Sequence, residues 1–486
     1  ISIILCDIIH QHDFFKGCFV GVDIFFVVSG YLISRILLSE LFEKDKIDFL
    51  QFYERRARRI LPILFFVFLV FYPFAYRYLL PNQFIEYAQS ILSATFFGSN
   101  IFFYFTNTQY GAEDSLLQPF LHTWSLGVEE QFYILFPIIL LLVYKFAKNH
   151  IVTVITVLIL VSLSYAEWQS TKNIQLNFFV LTSRLWELGV GTLLAFYELK
   201  YGIVKNVSLK QTMPLFGLAM IVYSIVFFNN QTPHPSFITL LPTIGTALII
   251  LYSSNKADLV GKVLSWKPIV GIGLISYSMY LWHYPIFAFA RMADKNGLGS
   301  TEKINLILLI IVISIISYLF IEKPFRKMSY KNNKNFIKLL LFLFFSFITY
   351  LLSIHTKGSH IDLYNNTDVL AYPEWITLKD QCNNKTNNFC SAGNNIKGKI
   401  YLLGDSHLNA IEYNLYEQLG SEYEIVSLTE NGCYPMLNTK RFTNIYKVIL
   451  DKKCDEKYQN QRIKFIKDDI EIIFNKCVEL FGKLSD

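Results

Sequence analysis

Long apolar runs recur along the first 354 residues of the chain, separated by short polar segments. A helix rises 1.5 Å per residue, so about 20 apolar residues cross the roughly 30 Å of hydrocarbon in a bilayer. The runs that meet this need are 18–38, 60–80, 126–144, 151–167, 178–198, 212–228, 237–253, 269–290, 303–321 and 337–354. An apolar stub at 1–10 is too short to cross, so we expect a first span that is cut at its N-terminus. The pattern predicts a polytopic α-helical membrane protein of about 11 spans.

A further apolar stretch, residues 84–105, is interrupted by several polar residues. Basic residues accumulate in cytoplasmic loops, and the Lys/Arg-rich loop 43–59 is therefore predicted to be cytoplasmic. If 84–105 does not cross, every later loop rich in Lys or Arg also falls on the cytoplasmic side. We therefore expect 84–105 to be a re-entrant or interfacial segment on the outer side of the membrane.

The residues after the last apolar run differ in character, being polar and Asn-rich, with one strand-like run at 399–404. Five of the seven cysteines lie there, which is typical of an oxidising compartment. We predict a membrane domain at 1–330, a linking transmembrane helix at 331–356 and a small extracytoplasmic α/β domain at 357–486. The expected location is the inner (plasma) membrane.

Composition supports this class of protein. Hydrophobic residues make up 53% of the chain and charged residues only 17%, whereas soluble domains are about 25% charged. The net charge of +6 is spread over loops, which disfavours a nucleic-acid binder. No Cys/His spacing of the zinc-binding type occurs, so we expect no metal.

Ionisable residues within or beside spans are costly and usually functional. His10 and Asp23 stand near the ends of successive predicted spans, where a carboxylate can orient an imidazole for proton transfer. The alternatives are an interfacial histidine and a helix N-cap, and His12 is a rival for His10.

Four arginines precede the span at 60–80 and fit a plain positive-inside anchor. Arg56 and Arg59, however, are three residues apart and share one helix face. Paired guanidinium groups suit phosphate or pyrophosphate, which makes this pair a candidate donor-binding site.

Two adjacent acids, Glu129 and Glu130, follow His122 and Trp124 at the mouth of a predicted span. Buried packing does not explain them, so we treat both acids as candidate catalytic residues. The alternative is structural, with Ser125 capping the helix and the acids lying in its first turn.

Three other groups complete the ionisable set in the spans. Arg184 and Glu187 are spaced to form a buried ion pair. His283 lies within a span, and the segment around Glu322 is more typical of a structural contact.

These segments together resemble acyltransferase family 3 of bacterial membrane O-acyltransferases. The resemblance covers about residues 1–330, in the order of the family. The matching stretches are Phe19–Ile33 (FVGVDIFFVVSGYLI), Phe52–Pro62 (FYERRARRILP), His122–Tyr133 (HTWSLGVEEQFY), Ser276–Pro285 (SYSMYLWHYP) and Ile321–Arg326 (IEKPFR).

The resemblance implies an enzyme that takes an acyl group from cytoplasmic acyl-CoA, with acetyl-CoA expected. Arg56 and Arg59 match the family's arginine pair and would bind the CoA phosphates. His10 matches its first-helix histidine and, oriented by Asp23, would take a proton from the acceptor. The acceptor would be a surface polysaccharide or lipid-linked glycan, such as an O-antigen or exopolysaccharide.

Residues 399–408 resemble the first block of the SGNH hydrolase-like domains that are often fused to this family. Ser406 would be the nucleophile, with Gly432 contributing to the oxyanion hole. Cys382–Cys390 and Cys433–Cys454 are plausible disulfides in such a domain. His407 is the last histidine of the chain and no Asp-x-x-His follows it. We therefore expect a truncated or diverged domain that is catalytically incomplete.

Two other functions remain open from the sequence. A membrane transporter that exports a glycan or acyl group without chemistry would also hold intramembrane His, Arg and Glu residues. Transporters often contain internal repeats, which we do not find here. The third possibility is an inactive remnant of an acyltransferase.

Overall fold

The structure is a computed structural model of the 486-residue chain. It describes residues 17–108, 115–202, 206–229, 231–253, 258–294, 298–327, 347, 384–386, 389–402, 412 and 415–428. The chain divides into two compact units, Ile1–Ile361 and Asp362–Asp486, and each is described by itself.

The described part of the first unit is helical, in agreement with the apolar pattern. Its helices are α1 (Gly21–Lys44), α2 (Phe49–Tyr78), α3 (Pro81–Thr95), α4 (Ser99–Asn107), α5 (Thr123–Ala147), α6 (Ile151–Lys172), α7 (Ile174–Phe179), α8 (Leu181–Tyr201), α9 (Val207–Phe227), α10 (Leu240–Tyr252), α11 (Leu259–Leu264), α12 (Lys267–Ala293), α13 (Ser300–Ser317) and α14 (Lys323–Lys327). A π-helical turn, Tyr318–Glu322, joins α13 to α14.

Six helical segments within the described ranges are long and apolar enough to cross a membrane. They are Gly21–Lys44, Phe49–Tyr78, Thr123–Lys172, Ile174–Tyr201, Val207–Phe227 and Ser300–Lys327. The first unit is therefore that of a helical membrane protein, while the predicted count of 11 spans is not confirmed. One 50-residue segment holds two of the predicted spans as α5 and α6, and Phe237–Tyr252 is a shorter apolar helix. In α12, Ser, Tyr, Trp and His side chains between positions 276 and 284 lower the hydropathy.

The apolar stretch 84–105 does not form one continuous helix. It is divided between α3 and α4, which have 15 and 9 residues and are separated at Gly98. Neither helix has the length of about 20 residues that a span requires. This break agrees with the expected re-entrant or interfacial segment.

Several helices begin at polar residues whose side chains accept a hydrogen bond from a first-turn backbone N–H. The N-cap residues are Asp48 for α2, Asn173 for α7, Asn206 for α9 and Asp258 for α11. These caps satisfy donors that the helix leaves unpaired, and they fix where each helix starts.

Glycines allow α1 and α8 to pack with their backbones in contact. A Cβ at Gly30 would lie 2.1 Å from the carbonyl oxygen of Leu188, and one at Gly191 would lie 2.2 Å from that of Val27. Small residues permit this close helix packing in membrane proteins. The contact fixes α1, which carries Asp23, against α8, which carries Arg184 and Glu187.

We expect Gly30→Ala to destabilise the protein, because the new methyl group meets backbone that cannot move aside. Overpacking of this kind costs about 1–3 kcal/mol. The thermal unfolding midpoint in detergent measures the effect. Gly271→Ala in α12 is the matched control, because no other part of the described structure lies within 4 Å of its added Cβ. Equal midpoints for the two variants would contradict the close contact.

The second unit contains a four-stranded sheet made of β1 (Asn384–Thr386), β2 (Phe389–Gly393), β3 (Lys399–Leu402) and β4 (Glu424–Ser427), in the order β1-β2-β4-β3. Strands β3 and β4 are parallel, and residues 415–419 between them are helical. This arrangement agrees with the predicted α/β domain. The predicted strand at 399–404 corresponds to β3, which packs with β2 and β4 around Cys390, Ala392, Leu402 and Ile425.

Candidate active site

A cavity of about 350 Å³ lies among α1, α2, α5 and α12 in the first unit. Its lining combines apolar side chains with several of the ionisable residues selected from the sequence. The lining residues are Gly21, Val22, Ile24, Phe25, Val28, Arg56, Arg59, Ile60, Ser125, Leu126, Glu129, Glu130, Tyr133, Ser276, Tyr277, Tyr280 and His283. Segments far apart in sequence thus form one concave, mostly apolar site with a few polar groups.

The arginine pair predicted from the sequence lines this cavity on one face of α2. The Arg56 guanidinium lies 5.0 Å from the ring centre of Tyr133 and 5.9 Å from that of Phe52, in cation–π contacts. Among the described residues, neither Arg56 nor Arg59 has a carboxylate within salt-bridge distance. Two cations that form no direct salt bridge in this part of the structure, beside a cavity, suit an anionic ligand.

Glu129 and Glu130 both line the cavity, and both are buried. The Glu129 carboxylate accepts hydrogen bonds from the hydroxyl groups of Ser29 and Tyr133. One Glu130 oxygen, Oε1, has no hydrogen-bond partner in the described part of the chain. The two neighbouring carboxyl groups therefore occupy different environments, which suits different roles in acid–base chemistry.

The structural alternative for these acids is wrong. Helix α5 begins at Thr123, with His122 at the N-cap position and no acid in the first turn. The Ser125 hydroxyl lies 3.0 Å from that of Tyr280, inside the site.

His283 lines the same cavity from α12. Its Nδ1 lies 2.6 Å from the carbonyl oxygen of Tyr280. A carbonyl oxygen only accepts, so Nδ1 carries the proton and Nε2 is the basic nitrogen of the neutral ring. The His122 ring packs edge-on at 5.3 Å from the His283 ring. The sequence analysis selected both histidines without predicting this contact.

The Asp23 side chain contacts residues that do not line the cavity. It is fully buried, and its Oδ1 accepts a hydrogen bond of 2.8 Å from Nη1 of Arg184. The same arginine pairs with Glu187 at 3.1 Å, which confirms the predicted ion pair. The N-cap alternative for Asp23 is wrong, because Val20 occupies that position. His10 lies outside the described residues, so its pairing with Asp23 stays a prediction.

His234 is a functional candidate that the sequence analysis missed. Its Nε2 lies 2.9 and 3.0 Å from the two oxygens of Asp23, and its Nδ1 lies 3.2 Å from Nη2 of Arg184. Guanidinium groups only donate, so Nδ1 accepts from Arg184 and Nε2–H donates to Asp23. Burial and the positive charge of Arg184 hold the pKa of His234 well below its usual value of 6.5. His234 therefore bridges a cation and an anion as a neutral imidazole.

Glu322 has the contacts expected of a structural residue. It accepts a hydrogen bond of 3.0 Å from Ser278 and forms an ion pair with Arg326 at 3.5 Å. These contacts join α12 to the turn between α13 and α14.

The candidate residues of the second unit lie mostly outside the described ranges. Ser406, His407 and Gly432 are among them, so their predicted roles stay predictions. Cys390 is disulfide-bonded. Its predicted partner, Cys382, also lies outside the described residues. Across the described positions, no group of three or more His, Cys, Asp or Glu side chains is placed to hold a metal ion.

Comparison with known proteins identifies two regions of the chain. Residues 8–322 match the family described as an Acyltransferase domain, and residues 377–476 match the SGNH domain that is fused to such domains. The first match contains every described residue of the cavity.

Two curated relatives carry names that state an activity. The O-acetyltransferase OatA of Staphylococcus aureus (strain NCTC 8325 / PS 47) is 34% identical over 328 residues, which are 65% of this chain and 54% of that protein. The peptidoglycan O-acetyltransferase OatA of Listeria monocytogenes is 30% identical over 333 residues, 65% of this chain and 53% of that protein. The matches span about half the length of these relatives. No solved structure matches the chain.

Proposed function

Because the chain belongs to acyltransferase family 3, whose Acyltransferase domain matches residues 8–322, we propose that it is a membrane O-acetyltransferase. In this proposal, an acetyl group passes from cytoplasmic acetyl-CoA to a hydroxyl group of a polysaccharide outside the membrane. The C-terminal SGNH-like domain lies on the same outer side as the acceptor.

One observation carries the proposal: a single cavity joins an arginine pair, which forms no salt bridge among the described residues, to buried carboxyl groups and a histidine. Arg56 and Arg59 bind the phosphates of the CoA donor, since guanidinium groups form charge-assisted, often bidentate hydrogen bonds with phosphate. The acyl-pantetheine arm then extends along the apolar wall formed by residues such as Val28, Ile60 and Leu126. A transporter of neutral sugars has no need of this cationic pair.

The reaction itself is an acyl transfer from a thioester to an alcohol. His10, supported by Asp23, takes the proton of the acceptor hydroxyl as its oxygen attacks the acetyl carbon. The carbon–sulfur bond then breaks, and the CoA thiolate leaves and receives a proton. Glu129 and Glu130 line the polar end of the cavity and are the candidates there for the remaining proton transfer, to the leaving thiolate. Positioning of the two substrates supplies much of the rate enhancement.

The acceptor that we favour is a cell-wall polysaccharide, with peptidoglycan as the first candidate. The names of the relatives support an O-acetyl product, and the Listeria relative is named for peptidoglycan. O-antigen and exopolysaccharide are the other acceptors within this proposal. Ser406 is a candidate for a later transfer step in the outer domain.

The test is expression in a bacterial host that lacks its own O-acetyltransferase, followed by analysis of purified surface glycans. We expect mass spectrometry to show one acetyl increment per modified sugar, together with acetate released by mild base. In a His10→Ala strain with equal membrane levels, the increment should disappear. Wild-type protein that yields no acetylated glycan of any class would contradict the proposed function.

A further inference from the structure

The loop between α9 and α10 contacts the beginning of α1 through His234. Besides its hydrogen bonds to Asp23 and Arg184, the His234 ring packs edge-on against Phe19 with the ring centres 4.6 Å apart. Just before Phe19, the Gly17 amide donates to the carbonyl oxygen of Ile225 at the end of α9. Residues 17–23 are thus held from one side by the loop and the end of α9.

Asp23 is directed away from the cavity, although its neighbours line it. Gly21, Val22, Ile24 and Phe25 all contribute to the cavity wall, whereas Asp23 does not. Its side chain is fully buried against Arg184 and His234. The position of Asp23 therefore fixes the rotation and register of the first turn of α1, and with them one wall of the cavity.

We propose that His234 is a positioning residue of the acyl transfer reaction, which clamps Asp23 to Arg184 and so holds the start of α1 in its active arrangement. This inference rests on the proposed function. We call the group formed by Asp23, Arg184 and His234 the α1 clamp.

The chemistry of the α1 clamp explains why a histidine stands in the loop. An Asp–Arg pair alone satisfies charge but makes no polar contact with the loop. A neutral ring with Nε2–H toward the carboxylate and Nδ1 toward the guanidinium connects the loop to both partners. A carboxylate can accept about four hydrogen bonds, so Asp23 retains capacity for a further partner such as His10.

Three variants of the full-length protein test the α1 clamp. His234→Phe keeps an aromatic ring beside Phe19 but removes both hydrogen bonds. His234→Gln keeps both, because its amide oxygen accepts from Arg184 and its NH2 group donates to Asp23. His150→Phe is the matched control, since His150 is an exposed histidine in the turn between α5 and α6.

We expect His234→Phe to lower kcat about 10²-fold, the loss that a misplacement of about 1 Å can cause. Its KM for acetyl-CoA should stay within about threefold of wild type, because Arg56 and Arg59 are untouched. His234→Gln should recover kcat to within about threefold of wild type, and His150→Phe should have no effect. CoA thiol release from acetyl-CoA with a soluble glycan acceptor provides the assay.

The result that overturns the α1 clamp is a His234→Phe protein with wild-type kcat, or a His234→Gln protein that is no better than His234→Phe. If the wild-type protein transfers no acetyl group, the proposed function fails. Amide hydrogen exchange of residues 17–24 then tests the α1 clamp without relying on activity. Faster exchange in His234→Phe but not in His234→Gln then supports the clamp, and unchanged exchange in both refutes it.

Discussion

Replacing Arg56 and Arg59 together by alanine is expected to lower kcat/KM for acetyl-CoA by about 10²–10⁴-fold. A hydrogen bond to a charged group contributes about 1.5–3 kcal/mol, and two such contacts to phosphate are lost. The loss should appear mainly as a raised KM, because the phosphates are remote from the reacting carbon. The fold should survive, since neither arginine forms a salt bridge within the described structure. Steady-state kinetics of purified protein measures the effect.

The chain supplies its own control for this prediction. Arg55 and Arg58 belong to the same basic run but do not line the cavity, and Arg58 forms an ion pair with Glu54 at 3.6 Å. Arg55→Ala with Arg58→Ala removes the same number of charges from the same end of α2, and we expect activity close to wild type. Equal losses in the two double variants would show that only the overall positive charge of this helix end matters.

A lysine replacement separates the effect of the positive charge from that of the guanidinium shape. Arg56→Lys keeps the positive charge but loses the planar fork that binds phosphate in a bidentate way. We therefore expect an intermediate loss for the Lys variant if the arginines bind the donor.

The helices were largely predictable because a membrane span leaves a strong signal in one dimension. About 20 consecutive apolar residues identify a span without knowledge of its neighbours. The exceptions have physical reasons. Helix α12 carries hydroxyl and imidazole groups toward the cavity, and residues 84–105 divide at Gly98 because their apolar run is interrupted.

Local pairs in the site were also predictable from spacing. Residues three or four apart share a helix face, so the Arg184–Glu187 pair and the common face of Arg56 and Arg59 followed from the sequence. His234 could not be found in this way. It lies in a polar loop, and its partner Asp23 is far away in the chain, so the contact depends on how α1, α8 and the loop pack.

Asp23 shows more generally what a single sequence does not predict. Sequence spacing suggested His10 as its partner, whereas the described structure surrounds it with Arg184, Glu187 and His234. A single sequence shows that a buried carboxylate needs partners but not which ones it has. The hydrogen bonds in the structure identify those partners.

Arg184→Leu is expected to destabilise the protein by about 3–5 kcal/mol, the usual cost of removing one partner from a buried ion pair. Arg184 is fully buried and is the described cation that pairs with both Asp23 and Glu187, which are also fully buried. Its loss leaves two carboxyl groups without a counter-ion in a low-dielectric interior. Thermal unfolding in detergent and the amount of protein in the membrane both measure the effect.

A triple variant separates the loss of charge balance from the loss of packing. Asp23→Asn and Glu187→Gln, added to Arg184→Leu, remove all three charges, while the amide oxygen introduced by Asp23→Asn can still accept a hydrogen bond from His234. We expect this protein to regain much of the lost stability, because a neutral cluster no longer buries an unpaired charge. It should nevertheless remain inactive, since the α1 clamp lacks its cation. If Arg184→Leu alone were as stable as wild type, the buried charges would not be coupled as the structure indicates.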